Sequence, residues 1–199
     1  MQRGNKMHNI RLIRDLITKE ESQSLVSFAE SVEKWEYGGS DFWDDRSLNA
    51  VNVYQNLDKN VGKLLYDIRL RMKKAIQDAY MLDREVFPDL TQIVRWFPGM
   101  EQPPHADDMT NTEDKEIIDN FGHRHFGAIL YLNEDYSGGH TYYPQHDFEV
   151  KPEAGALAVH PGSPDHMHGV TKVEEGMRYT IASFWSFDPN KYDNWVIEE

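Results

Sequence analysis

From Leu90 onward the apolar residues come in short β-rich segments, 92–97, 124–132, 140–143, 156–160 and 177–187. Between them fall turn signals at Pro98-Gly99, Ser137-Gly138-Gly139, Pro161-Gly162 and Glu175-Gly176. Gly and Pro at such points set backbone angles that a regular strand cannot continue through. Short strands in series bury their apolar faces by packing sheet against sheet, so this half of the chain points to a sandwich or jelly-roll barrel rather than to alternating α/β.

The first third reads differently. Thr18 and Glu21 have the spacing of a capping box, in which each side chain satisfies a free amide at a helix start. Leu25, Phe28, Ala29 and Val32 follow at helical intervals. A longer helix is predicted over 59–80, where Val61, Leu64, Leu65, Ile68, Met72, Ala75, Ile76 and Ala79 form one apolar stripe suited to packing on a sheet. The expectation is a mainly β (α+β) chain forming a single domain, 1–199. Residues 1–89 would be a helical support packed on one sheet, and 90–188 a β core. The acidic stretch 107–120 carries no strand pattern and is either a loop over the barrel mouth or a solvated insertion.

Composition narrows the function classes. The chain is 39% apolar and 12% aromatic, enough for a packed core, and its net charge is −13. That charge repels phosphate backbones and anionic lipid, so neither nucleic acid nor membrane is an expected partner, whereas a basic peptide or a small molecule is. With no cysteine, thiolate nucleophiles, zinc ribbons and iron–sulfur clusters are excluded. The first residues have no apolar signal-peptide core, and the apolar run 126–132 is too short to span a bilayer. A soluble, cytoplasmic protein is expected.

His105-Ala106-Asp107 follows directly on a Pro-Pro pair; on extended backbone, residues two apart face the same way and their side chains converge. His168 lies ten residues before Arg178, with Glu174-Glu175-Gly176 between them reading as a turn between antiparallel strands, which would return Arg178 beside His168 or one register further in. His166 is a rival ligand, but the interval to Arg178 favours His168. Two histidines and one carboxylate with open positions make the facial triad of non-haem Fe(II) oxygenases. Such iron needs a bidentate co-substrate, whose far carboxylate suits the two parallel donors of an arginine.

Five motifs occur in order: VRWFPGMEQPPHAD at 94–107, RHFGAILYLN at 124–133, GGHTYYP at 138–144, GALAVH at 155–160 and HGVTKVEEGMRY at 168–179. With these, the chain resembles the prolyl 4-hydroxylase branch of the Fe(II)/2-oxoglutarate dioxygenases over nearly half its length. The resemblance implies a double-stranded β-helix with His105, Asp107 and His168 on Fe(II), and Arg178 on the 5-carboxylate of 2-oxoglutarate. Thr141 and Tyr131 would line the co-substrate pocket, and Arg124, Gln102 and Trp185 are candidates for the substrate side. It also implies dioxygen as oxidant, ascorbate as a candidate reductant, and hydroxylation of a C–H bond, a peptidyl proline among them, with release of succinate and carbon dioxide. Two positions depart from the pattern. Trp96 stands where relatives carry a tyrosine that bonds 2-oxoglutarate, a bond for which Tyr131 is the candidate replacement. Gln102 replaces a second tyrosine that faces the substrate, which bears on whether proline is the target.

Other groups have plainer readings. His123 and His125 flank Arg124 and read as surface or substrate-side groups, since the strand pattern puts no carboxylate beside them. The segment 35–54 fits neither helix nor strand; its Asp41, Asp44 and Asp45, with the acidic stretch after Asp107, would form a negative rim favouring a basic peptide or amino-acid-derived substrate. Two rivals to the oxygenase reading are a cupin-type dioxygenase that uses no 2-oxoglutarate and a non-catalytic jelly-roll binding module.

Overall fold

The computed structural model describes residues 9–36, 42–111, 117–118, 121–193, 195 and 197. Asp41, most of the acidic stretch between Asn111 and Phe121, and the first eight residues fall outside this set.

Among the described residues, fourteen strands form the β portion: β1 (Arg11–Ile13), β2 (Ser47–Asn49), β3 (Phe87–Trp96), β4 (Gln102–His105), β5 (Thr110–Asn111), β6 (Ile117–Ile118), β7 (Phe126–Tyr131), β8 (Ser137–Gly138), β9 (Thr141–Tyr143), β10 (Phe148–Val150), β11 (Leu157–Pro161), β12 (His168–Val170), β13 (Val173–Glu175) and β14 (Arg178–Ser186). A six-stranded sheet runs β1-β11-β7-β14-β3-β2, and a four-stranded sheet runs β10-β9-β12-β4. All their pairings are antiparallel. Among the described residues no ladder joins the two sheets; they face each other, in keeping with the sandwich or jelly-roll expected from the turn spacing.

Alternation along each strand sorts the larger sheet into two faces. Ile93, Leu130, Leu157, Val159, Ile181 and Trp185 point toward the helices, where they share one core with Leu25 and Ala29 of α1 (Lys19–Ser31) and Leu65, Ile68, Met72 and Ile76 of α3 (Lys59–Ala79). The stripe at 3.6-residue spacing is the face that α3 buries, and truncating Ile68 to Ala there would cost about 2–5 kcal/mol. The α1 start is the expected capping box: Glu21 N–H donates to the Thr18 hydroxyl at 3.2 Å and Thr18 N–H to the Glu21 carboxylate at 2.8 Å. Glu21 also pairs with Arg71 of α3 at 2.7 Å, which ties the two helices together. Asp58 caps α3 by accepting from the amides of Asn60 and Val61.

Two segments differ from expectation. Within 35–54 the chain forms β2, which pairs with β3 at Ser47↔Val94, then a short helix α2 (Ala50–Asn52) and a π-helical turn. The Glu174-Glu175-Gly176 turn does not join two strands of one ladder. β12 belongs to the four-stranded sheet, β13 pairs with β8, and β14 pairs with β3 and β7 in the six-stranded sheet. The stretch from His168 to Arg178 thus crosses between sheets, and Arg178 lies opposite Trp96 rather than beside His168. The chain leaves the four-stranded sheet after Val170, and Gly176, at a positive φ of 79°, turns it from β13 toward β14.

Candidate active site

His105 and His168 are direct cross-strand partners of β4 and β12, with ring centroids 4.5 Å apart. Asp107 follows in the turn after β4, its amide donating to Gly162 O at 3.0 Å, so backbone bonding fixes where the carboxylate starts. Its Oδ1 lies 3.8 Å from His105 Nε2 and 3.7 Å from His168 Nε2. One ligand atom from each of the three residues falls within 4.8 Å of the others. Of the two candidates, His168 therefore joins the group; His166 stacks instead on His146, with centroids 5.0 Å apart.

The hydrogen positions suit a metal. His105 Nδ1 lies 3.2 Å from Pro103 O and His168 Nδ1 lies 3.3 Å from His166 O, and a carbonyl can only accept. Both imidazoles thus carry their proton on Nδ1 and turn a free Nε2 lone pair toward Asp107. Burial, with His160 close by, holds His168 well below the ordinary histidine range and so neutral. Burial raises Asp107, but its three histidine neighbours, His160 by a direct hydrogen bond, lower it by more, so the carboxylate stays ionised.

A second group lies on the same inter-sheet space. Thr141 and Tyr143, two apart on β9, face inward about 7 Å from each other along the strand. Tyr131 OH donates to Thr141 Oγ1 at 2.7 Å, and Arg178 Nη2 reaches the same oxygen at 3.4 Å. The three residues singled out for the co-substrate pocket are therefore in contact. Arg178 is 1% exposed, its Nε has no partner, and neither do the Tyr136 hydroxyl or the Trp96 indole N–H. Burial pushes the Tyr136 phenol up, so it stays a donor beside Arg178. Gly139, at φ 63°, allows the approach: a Cβ there would sit 2.9 Å from Arg178 Cδ. Buried donors without acceptors cost roughly 1–3 kcal/mol each, and an anion seated among them would remove that cost.

The substrate-side candidates separate. Gln102 Nε2 is 3.5 Å from His105 Nε2, at the edge of the metal-capable group. Arg124 is already neutralised: Nε donates to Asp89 at 2.8 Å, and the guanidinium lies over Phe121 and Phe184 at 3.9 and 4.0 Å. Asp89 also stands 3.3 Å from His123, so a carboxylate does lie beside that histidine, brought by β3 rather than by its own strand. Trp185 belongs to the core shared with the helices, on the face of β14 opposite Arg178, because the alternation along β14 turns it away from the inter-sheet space. It therefore does not face the space that holds Arg178.

Two inward-facing residues had not been singled out from the sequence. His160 bonds to Asp107, and its signal was a histidine ending the otherwise apolar strand 156–160. Arg46 is 1% exposed, with its guanidinium 4.1 Å from the Trp96 ring and one nitrogen unpartnered. Burial and the field of Arg178 lower it to about 10. Nothing in the local pattern distinguished it from a surface arginine.

Residues 91–186 match the model of the 2OG-Fe(II) oxygenase superfamily. Over those residues the chain is similar to members of that superfamily, prolyl hydroxylases among them. It is 26% identical to prolyl 3-hydroxylase 2 of Rattus norvegicus over 146 residues, covering 64% of this chain and 21% of that protein. It is 31% identical to a putative prolyl 4-hydroxylase of Acanthamoeba polyphaga mimivirus over 104 residues, 47% of this chain and 43% of that protein. The chain thus spans about a fifth of the length of the first of these relatives. A viral collagen prolyl hydroxylase from Paramecium Bursaria Chlorella virus-1, solved with 2OG, superposes with a TM-score of 0.65 at 13% identity, covering 92% of this chain and 98% of that one. A Pseudomonas putida prolyl-4-hydroxylase gives 0.61 at 16% identity over 90% and 93%. The fold shared with these structures is the double-stranded β-helix.

Proposed function

We propose that this chain is a 2-oxoglutarate-dependent Fe(II) dioxygenase that hydroxylates a prolyl residue in a peptide. His105, Asp107 and His168 would hold the iron. The observation that carries the reading is their geometry: two Nε2 lone pairs and one carboxylate oxygen converge, with both Nδ1 protons tied to backbone carbonyls. When bound, iron and 2-oxoglutarate supply the oxidising chemistry, coupling C–H hydroxylation to release of succinate and carbon dioxide.

The protein's own residues orient and enclose. Arg178 presents a buried, partly unpaired guanidinium for the far carboxylate of 2-oxoglutarate, and Thr141 and Tyr131 fix the angle from which it does so. Val94, Trp96, Val170 and Val173 close the space between the sheets against water. Gln102 stands at the metal end, where it would meet a substrate. Arg124, held by Asp89, would shape that side rather than bind an anion. A basic peptide suits the net charge of −13, and ascorbate as reductant and a cytoplasmic setting complete the proposal.

Neither rival reading is favoured. A dioxygenase without 2-oxoglutarate has no use for the buried arginine, and a binding module would not need three converging ligands with set tautomers. Anaerobic addition of Fe(II) and 2-oxoglutarate should produce the weak visible absorption of their chelate, and proline-containing peptides should stimulate succinate release. Absence of the band sinks the iron and co-substrate assignment. A band without stimulation by any prolyl peptide, basic or neutral, sinks the substrate.

A further inference from the structure

Asp107 is held by a hydrogen-bonded chain that starts outside the three metal-capable residues. Alternation along β11 sends Leu157 and Val159 to the helices and Ala158 and His160 into the inter-sheet space, which places an imidazole among apolar neighbours. His160 is 1% exposed; its Nε2 lies 2.9 Å from Asp107 Oδ2 and its Nδ1 lies 2.8 Å from the Tyr143 hydroxyl. An ionised carboxylate can only accept, so His160 donates from Nε2, and its Nδ1 then accepts from Tyr143. Burial raises the Tyr143 phenol well above its usual range, which keeps that donor protonated. Both nitrogens of the imidazole are thereby satisfied inside the protein.

The consequence for Asp107 is an asymmetry between its two oxygens. Oδ2 is engaged by His160, whereas Oδ1 faces His105 and His168. Gly127 of β7 makes the arrangement possible, because a Cβ there would collide with both Asp107 Oδ2 and His160 Nε2. A carboxylate without such a partner can swing to give a metal both oxygens, occupying a coordination position that a co-substrate or dioxygen needs.

We propose that His160, itself oriented by Tyr143, is a positioning residue that holds Asp107 as a one-oxygen metal ligand. The inference rests on the metal site proposed above and adds to it an outer partner that fixes how the carboxylate binds. Outer partners of metal ligands change affinity by roughly 10- to 100-fold when removed. Loss of His160 should weaken the metal by that amount and alter its coordination; loss of Tyr143, one step further out, should have a smaller effect of the same kind.

The test uses Co(II), which is stable in air and has a visible spectrum sensitive to coordination number. Affinity is measured by competition with a chromophoric chelator on the whole chain, with circular dichroism confirming the fold of each variant. His160→Phe is expected to bind Co(II) roughly 10- to 100-fold more weakly and with a changed spectrum. His160→Gln, which restores an N–H donor of similar reach, should recover part of both, and Tyr143→Phe should fall between it and the wild type. Unchanged affinity and spectrum in His160→Phe would overturn the proposal. So would a loss as complete as in His168→Ala, since His160 would then be a ligand. If His160→Phe does not fold, wild-type behaviour of both His160→Gln and Tyr143→Phe in a spectrum that Asp107→Asn alters overturns it equally. A wild-type chain that binds no Co(II) removes the metal site itself, a result distinct from all of these.

Discussion

The two ends of the inter-sheet space differ in how their polar groups are satisfied. At the histidine end every hydrogen is placed by the protein: two Nδ1 protons go to carbonyls, and one carboxylate oxygen goes to His160. At the arginine end donors are buried without acceptors, on Arg178, Tyr136 and Trp96. One end is finished before any ligand arrives, and the other is completed by an anion. The first would bind by preorganisation, where little must move; the second would gain affinity because an anion would relieve donors that are costly when empty.

That contrast breaks most sharply at His168. His168→Ala should lower Fe(II) affinity by more than about 100-fold, beyond what outer partners produce, as read by chelator competition. Arg178→Ala should leave Fe(II) affinity unchanged while weakening 2-oxoglutarate by roughly 10- to 100-fold, the range of a hydrogen bond to a charged group, in a titration of the chelate band. If both ligands weaken together, the two ends are not independent.

Acidification sharpens the comparison from another side. Burial and neighbouring charge hold His168 below its usual 6.5, and its surroundings hold Asp107 below 3.8 despite burial. Both groups bind fewer protons folded than unfolded, so their contribution is present above those ordinary values and is lost as pH falls past them. Urea midpoints of the metal-free protein should therefore decline below about pH 6.5, and His168→Ala should shrink this first step, leaving the part due to His166, which burial also lowers. The smallest effect is expected of Tyr131→Phe, which keeps Arg178 but frees Thr141 from one partner. It should weaken 2-oxoglutarate by roughly 3- to 10-fold.

Local chemistry made much of this legible. The Thr18–Glu21 box and the stripe of α3 depend on residues three and four apart, and both elements begin where the pattern puts them. The five β segments also form, because each is long enough to show apolar content of its own. What stayed hidden was set by distant partners. β4 is Gln-Pro-Pro-His, a poor strand by propensity, and exists because β12 pairs with it. The turn at Gly176 is local, but which sheet receives the next strand is not, so the neighbours of Arg178 were misread. Asp89 reaches His123 and Arg124 from more than thirty residues away, a contact no strand pattern contains. His160 acquires its meaning only from the opposite wall, and Arg46 from Trp96 and Arg178 on neighbouring strands of its own sheet.

The crossing between His168 and Arg178 has a consequence for size. A ligand gripping the ion on the four-stranded sheet and the guanidinium on the six-stranded sheet spans a gap that no backbone ladder regulates. Its width is set by Val94 and Trp96 meeting Val170 and Val173. With an ion at His105, Asp107 and His168, those four side chains would act as a caliper on the number of carbons between the two acid groups of a co-substrate.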